Sequence, residues 1–235
     1  MIVQGKIPVT VLTGFLGAGK TSTIRHLLET ANGKRLALII NEFGDLGVDG
    51  EIVKGCGIEG CADEDVLELA NGCICCTVAD DFLPTMETIL ARPNAPDHII
   101  IETSGLALPK PLIKAFNWPE VRNRVTVDGV VAVVDGPAVA DGLFAMDPSA
   151  VDAQRQNDES LDHESPLEEL FEEQLGSADM VLINKMDMVA PDALGGVMED
   201  IKSSVRAGVK LLNSQHGRID AKILLGLNAA AEDDL

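Results

Sequence analysis

The chain has 235 residues, 46% of them hydrophobic and 24% charged, proportions that suit one globular domain or at most two. A net charge of −20 excludes a surface made for nucleic acid or an anionic membrane, either of which needs clustered Lys and Arg. No apolar run reaches the length of a bilayer span and the first residues lack a signal-peptide pattern, so a cytoplasmic protein is expected.

Aromatic residues make up only 3% and Tyr is absent, so the core must be built from Val, Ile, Leu and Ala. Val9–Thr13 is a β-branched, apolar run that breaks at Gly14 and gives way to a helical pattern at Ile24, Leu27 and Leu28. Between them Gly14-Phe-Leu-Gly-Ala-Gly-Lys-Thr21 completes G-x-x-x-x-G-K-[ST]. The glycines let backbone N–H groups approach a phosphate, and the helix that follows aims its positive end at the anion. Gly14, Gly17, Ala18, Gly19, Lys20, Thr21 and Ser22 are therefore the expected phosphate cradle. Lys20 would reach the β- and γ-phosphates, and the Thr21 hydroxyl would be a ligand for Mg²⁺.

Leu36–Ile40 reads as a second strand. Residues 41 to 72 are rich in Gly and acids, which predicts a long functional loop with at most a short helix near Asp63–Leu69. Asp80–Ala91 reads as a helix ended by Pro93, and Ile99–Ile101 as a third strand. That strand delivers Glu102-Thr-Ser-Gly105, in which the carboxylate can hold Mg²⁺ or position a water and the Gly105 N–H can sense a γ-phosphate. A helix over Leu108–Phe116, a fourth strand over Val130–Val134 and a polar, acidic loop or insert over 147 to 165 follow. After a helix at Leu167–Leu175, Met180–Ile183 is a fifth strand, followed by Asn184-Lys-Met-Asp187. In this N-K-x-D pattern Asp187 can accept from the guanine ring N–H and 2-amino group. Asn184 would serve the acceptor edge of the base, and Lys185 would pack along its face. Adenine lacks that pair of donors, so the nucleotide is expected to be GTP. A helix at Leu194–Val205 and a sixth strand at Val209–Leu212 complete an α/β pattern: a mostly parallel sheet flanked by helices on both faces, with its loops at the carboxyl edge.

Asn71-Gly-Cys73-Ile-Cys75-Cys76 places three thiols within four positions. Cys73, Cys75 and Cys76 can supply soft ligands to a thiophilic divalent metal; burial as small hydrophobes and thiol–disulfide exchange are the weaker readings. Cys56 and Cys61 sit among glycines, with no ligand spacing. His26, His98, His163 and His216 are not spaced as ligands either.

The phosphate loop, C-x-C-C, E-x-x-G and N-K-x-D in this order resemble the CobW family of metal-handling P-loop GTPases. Gly55-Cys-Gly-Ile-Glu-Gly-Cys61, Glu68–Cys76, Asp152-Ala-Gln-Arg155 and Asp158–Glu164 look like its cobalamin-biosynthesis branch. The resemblance covers residues 7 to 225 and implies a P-loop NTPase fold of the SIMIBI-like G-domain type. It implies a GTPase that loads Co²⁺, or Zn²⁺, on the C-x-C-C cysteines in the Mg²⁺–GTP state. Hydrolysis would release the metal to a cobaltochelatase or a corrin-ring intermediate. Lys20, Glu102 and Asp45 are the expected catalytic residues, with Thr21, Glu102 and Asp45 around Mg²⁺ and Asn41–Asp49, including Glu42, as the first switch segment. Family members usually carry a further C-terminal domain, so residues 1 to 228 are expected to form the GTP-binding domain and 229 to 235 an acidic tail opening a linker. A monomer or a nucleotide- or metal-dependent dimer is expected. Some relatives place a Glu where Ile40 stands, and that extra ligand is missing here. Two rival readings are a regulatory GTPase acting through partners alone, and a P-loop kinase, against which the N-K-x-D counts.

Overall fold

The first strand, β1 (Ile7–Thr13), is apolar on both faces because it lies at the centre of a sheet covered on both sides. In the computed structural model, which describes residues 5–41, 66–69, 82–157 and 166–234, seven parallel strands form one sheet. After β1 come β2 (Leu36–Asn41), β3 (Val66–Leu69), β4 (His98–Glu102), β5 (Val125–Asp135), β6 (Met180–Asn184) and β7 (Lys210–Asn213). Their spatial order is β3-β2-β4-β1-β5-β6-β7. The described helices are α1 (Lys20–Glu29), α2 (Leu83–Leu90), α3 (Pro109–Ala115), α4 (Gly136–Ala140), α5 (Pro148–Asn157), α6 (Leu167–Gly176), α7 (Leu194–Ser204) and α8 (Ala221–Leu224).

Alternate side chains of the strands feed different cores. Val9, Val11, Ile99 and Ile101 pack with Met86 and Ile89 of α2 and with Leu112 and Ile113 of α3. Leu12, Ile100, Val131 and Leu182 point the other way, onto Ile24, Leu27 and Leu28 of α1. A third cluster joins Val134, Val181 and Ile183 to Leu175 of α6 and to Val197 and Ile201 of α7. Each fully buried Leu or Ile contributes about 1.5–3 kcal/mol of transfer free energy, so these interleaved faces are what hold the sheet flat against its helices.

The structure corrects the sequence reading at four places. Val66–Leu69 is a strand, where a helix near Asp63–Leu69 was expected. It pairs in parallel with β2 from Leu38↔Val66 to Asn41↔Leu69, satisfying backbone groups along the β2 edge that four residues of helix would leave bare. The sheet thus has seven strands where six were expected. Within the stretch expected as a polar loop or insert, residues 148–157 are helical. This helix, α5, is anchored because Val151 packs with Phe15, Leu106 and Leu170.

The third correction is β5, which starts at Val125, five residues before the run that hydrophobicity alone marks. Asp128-Gly129 forms a bulge in the sheet, with Val9 opposite Val127 and Thr10 opposite Gly129. The bulge turns the Asp128 carboxylate onto the N–H groups of Leu227 and Asn228, at 3.0 and 2.9 Å. The last correction concerns residues 229 to 235, expected as an acidic tail. Through Asp234 they are packed against the sheet: Ala231 and Glu232 are buried, and the Glu232 carboxylate accepts from Thr126 Oγ1 (2.6 Å) and the Val127 N–H (2.8 Å).

Candidate functional site

All the candidate residues that the structure describes lie at the carboxyl edge, around the end of β1. There the chain departs to β2 on one side of the sheet and, later, to β5 on the other. Parallel sheets open a ligand crevice at such a reversal. Gly14 has φ 133°, and a Cβ on it would stand 2.1 Å from the carbonyl oxygen of Val133. Gly19 caps α1 with φ 102°, and a Cβ there would meet Asn184 Nδ2 at 2.2 Å. Both glycines are thus required by backbone conformation and by close approach. α1 has no acidic residue in its first turn, which leaves its positive end available to an anion.

Lys20 is 8% exposed and donates to the carbonyls of Gly14 (2.8 Å) and Phe15 (3.4 Å), which holds its ammonium over the loop. One residue on, the Thr21 hydroxyl donates to Glu102 Oε1 at 3.4 Å. Glu102 is buried at the end of β4, opposite Leu12 on one side and Ile40 on the other. A hydroxyl and a carboxylate converging beside a phosphate loop are hard oxygen donors of the kind Mg²⁺ takes, so the residues present fit that ion. Thr103 donates its N–H to the Leu12 carbonyl (2.9 Å), fastening the Glu102–Gly105 turn to β1.

The N-K-x-D residues divide into two jobs. Asn184 is 2% exposed, and its amide is committed within the protein: Nδ2 donates to the Ala18 carbonyl (3.0 Å), while Oδ1 accepts from the Gly217 N–H (3.0 Å) and from Ser214 Oγ (3.3 Å). It therefore ties the phosphate loop to the loop after β7. Lys185 has φ 58° and pairs through Nζ with Asp135 Oδ2 at 2.6 Å. Asp135, 2% exposed, also accepts from the Ala138 N–H and so caps α4. The Asp187 carboxylate is 31% exposed and lies 3.8 Å from His216 Nε2. Beside it a cavity of about 320 Å³ is lined by Met186, Asn213, Ser214, Gln215, His216 and Arg218.

Asp135, Ser214 and Gly217 are site residues that the sequence reading missed. Asp135 could have been found, since it too is an acid closing an apolar strand, as Glu102 is. The loop over 214–217 carried no such signal. Glu42, Asp45, Cys56, Cys61, Cys73, Cys75, Cys76 and His163 lie outside the described residues. Among the described residues no three His, Cys, Asp or Glu side chains are grouped to hold a metal.

Residues 8–213 match the family model described as "CobW/HypB/UreG, nucleotide-binding domain". The chain is 60% identical over 232 residues to a protein named zinc chaperone CobW from Sinorhizobium sp, covering 99% of this chain and 66% of that protein. It is 56% identical over 236 residues to the Pseudomonas aeruginosa protein of the same name, again covering 99% of this chain and 63% of the relative. The chain thus spans slightly less than two thirds of these relatives. Among solved structures, the Zn(II)-bound YjiA GTPase from Escherichia coli superposes with a TM-score of 0.61 at 27% identity, over 95% of this chain and 62% of that one. Nickel-bound HypB from Helicobacter pylori, at 13% identity and a TM-score of 0.52 over 98% of this chain and 84% of that one, shares the fold.

Proposed function

Because the chain belongs to the CobW/HypB/UreG nucleotide-binding-domain family, we propose that it is a GTP-dependent metallochaperone whose cargo is Zn²⁺. The observation that carries the nucleotide half is the Thr21 hydroxyl facing the Glu102 carboxylate at 3.4 Å beside the Lys20 ammonium, at the mouth of the Gly14–Thr21 loop. Thr21 and Glu102, joined by Asp45, would hold Mg²⁺, which when bound neutralises charge on the phosphates. Lys20 and the loop N–H groups bind the β- and γ-phosphates, and Glu102 orients the attacking water. Asp187 selects guanine, with Lys185 held beside it by Asp135.

The metal half rests on Cys73, Cys75 and Cys76. Their thiolates bind a borderline-soft divalent ion and release protons as they do so. Co²⁺, the cargo expected from the sequence resemblance, gives way to Zn²⁺ in this reading, because the relatives named above are zinc chaperones. Affinity order favours zinc as well, since N/S sites hold Zn²⁺ above Co²⁺. GTP orders the segments carrying Asp45 and the cysteines; hydrolysis loosens them and hands the ion to a metal-receiving protein. Residues 1 to 228 form the GTP-binding domain, with the packed segment after them as part of it. No described helix is long and apolar enough to cross a membrane, and the proposed compartment is the cytoplasm.

The test is a titration of Zn²⁺ and Co²⁺ against the protein with Mg²⁺–GTP and with Mg²⁺–GDP, for wild type and a Cys73/Cys75/Cys76→Ser triple variant. Zn²⁺ affinity should rise at least tenfold in the GTP state and vanish in the variant, on the scale of ordinary allosteric coupling. Affinities indifferent to both nucleotide and cysteines would sink the chaperone reading, and tighter binding of Co²⁺ than Zn²⁺ would return the cargo to cobalt.

A further inference from the structure

The turn that ends in Gly105 is held from outside itself. Gln174 of α6 is 1% exposed and donates from Nε2 to two carbonyls, that of Gly105 at 3.0 Å and that of Ala107 just beyond the turn at 3.1 Å. From α5, Gln154 Nε2 donates to Ser104 Oγ at 3.5 Å. Its Oε1 lies 3.2 Å from the point where a Cβ on Gly105 would stand, and the Leu16 nitrogen of the phosphate loop is 2.8 Å from the same point. Phosphate loop, Gly105 and a carboxamide from α5 therefore meet in one place, with no room for a side chain at 105. The next residue, Leu106, cannot serve the turn's polar groups, because it is buried with Phe15, Val151 and Leu170.

We propose that Gln174 and Gln154 are positioning residues that set the orientation of Gly105, and that this clamp is what makes the site distinguish GTP from GDP. The reasoning rests on the GTPase reading above. A Gly105 N–H aimed at the γ-phosphate has nothing to contact in GDP, which lacks that group. Whatever holds Gly105 in place thus adds affinity in one nucleotide state and not in the other. Gln174 fixes the carbonyl side of the residue, and Gln154 fixes the preceding serine. Neither side chain lies on the turn, so both act through it and neither touches the phosphates. The clamp also ties two helices to the nucleotide: a Gly105 shifted by γ-phosphate loss would pull on α6 through two hydrogen bonds and on α5 through one.

The experiment compares wild type, Gln174→Leu and Gln154→Ala for the affinity of fluorescent GDP and of a fluorescent non-hydrolysable GTP analogue, with single-turnover GTP hydrolysis and thermal melting alongside. Each variant should hold GDP within about twofold of wild type and lose about tenfold for the GTP analogue, a coupling of ordinary allosteric size. The KM for GTP should rise in step. If GDP and the GTP analogue weaken together, or if neither changes, the two glutamines are structural and the proposal is overturned. Gln154→Ala decides alone should Gln174→Leu fail to fold, since Gln154 is only half-buried. A wild type that binds neither nucleotide refutes the GTPase reading instead, which keeps the two failures apart.

Discussion

Lys20 and His98 are both buried basic side chains, 8% and 1% exposed. The carbonyls of Gly14 and Phe15 accept from Lys20 Nζ, so its charge is solvated by the very loop that would wrap a phosphate. Exchanging those carbonyl contacts for phosphate oxygens needs no new side-chain placement, which is preorganisation in a literal sense. Lys20→Ala should weaken GTP and GDP about 10- to 100-fold, the equivalent of one charge-assisted contact, while leaving the melting temperature within a few degrees. Isothermal titration calorimetry with both nucleotides checks this.

His98 opens β4 at 1% exposure, with Nε2 2.8 Å from Thr10 Oγ1. Burial, aided by the nearby Lys34 charge, pushes its pKa down from 6.5 to about 3. Between those two values the unfolded chain binds a proton that the folded chain refuses, so the stability from neutral His98 is present above pH 6.5 and drains away as pH falls towards 3. The slope is at most about 1.4 kcal/mol per pH unit. Urea midpoints measured from pH 7.5 to 5 should fall in wild type and fall less steeply in His98→Gln, which retains an amide for Thr10. Identical slopes in the two proteins would contradict this account.

At the scale of elements, the bulge at Asp128-Gly129 and the segment over 225–234 are one construction. Asp128 accepts from two backbone N–H groups of that segment, and Glu232 returns the contact by accepting from Thr126 and Val127. These bonds run both ways between the strap and β5, a strand that neighbours β1 and β6, so the strap bears on the register of the central sheet. Glu232→Ala would leave a buried N–H without its partner and should cost about 2–4 kcal/mol in chemical denaturation, with nucleotide affinity unchanged because the strap grips β5 far from its carboxyl end. A loss below about 0.5 kcal/mol would mean the strap is ornamental. The aromatic residues are used in the same economical way. Phe15 packs against Phe144 and Phe171 with ring centroids 6.1 and 5.7 Å away, anchoring the phosphate loop to the chain on either side of α5.

For the molecule as a whole, the sheet places the Gly14–Thr21 loop, Thr21 with Glu102, and Asn184–Asp187 on a single edge, and the amide of Asn184 links the first to the last. The proposed coupling between GTP and metal would run from this edge through Gly105 and its two glutamines to α5 and α6. The candidate motifs were legible beforehand. Gly14–Thr21, Glu102–Gly105 and Asn184–Asp187 were read from spacing, because phosphate, magnesium and guanine each demand particular groups at fixed intervals along a short stretch of backbone. Strand order, the edge strand Val66–Leu69, helix α5, the bulge at Asp128 and the packed strap were not. Each depends on partners far away in sequence: an open β2 edge, a cluster around Phe15, the N–H groups of Leu227 and Asn228. Local pattern by itself determined the family and the P-loop fold to which the chain belongs. Only the tertiary structure decided that Asn184 holds the phosphate loop, and that Gln154 and Gln174 stand behind Gly105, because hydrogen bonds spanning 50 residues or more leave no periodic trace in the sequence.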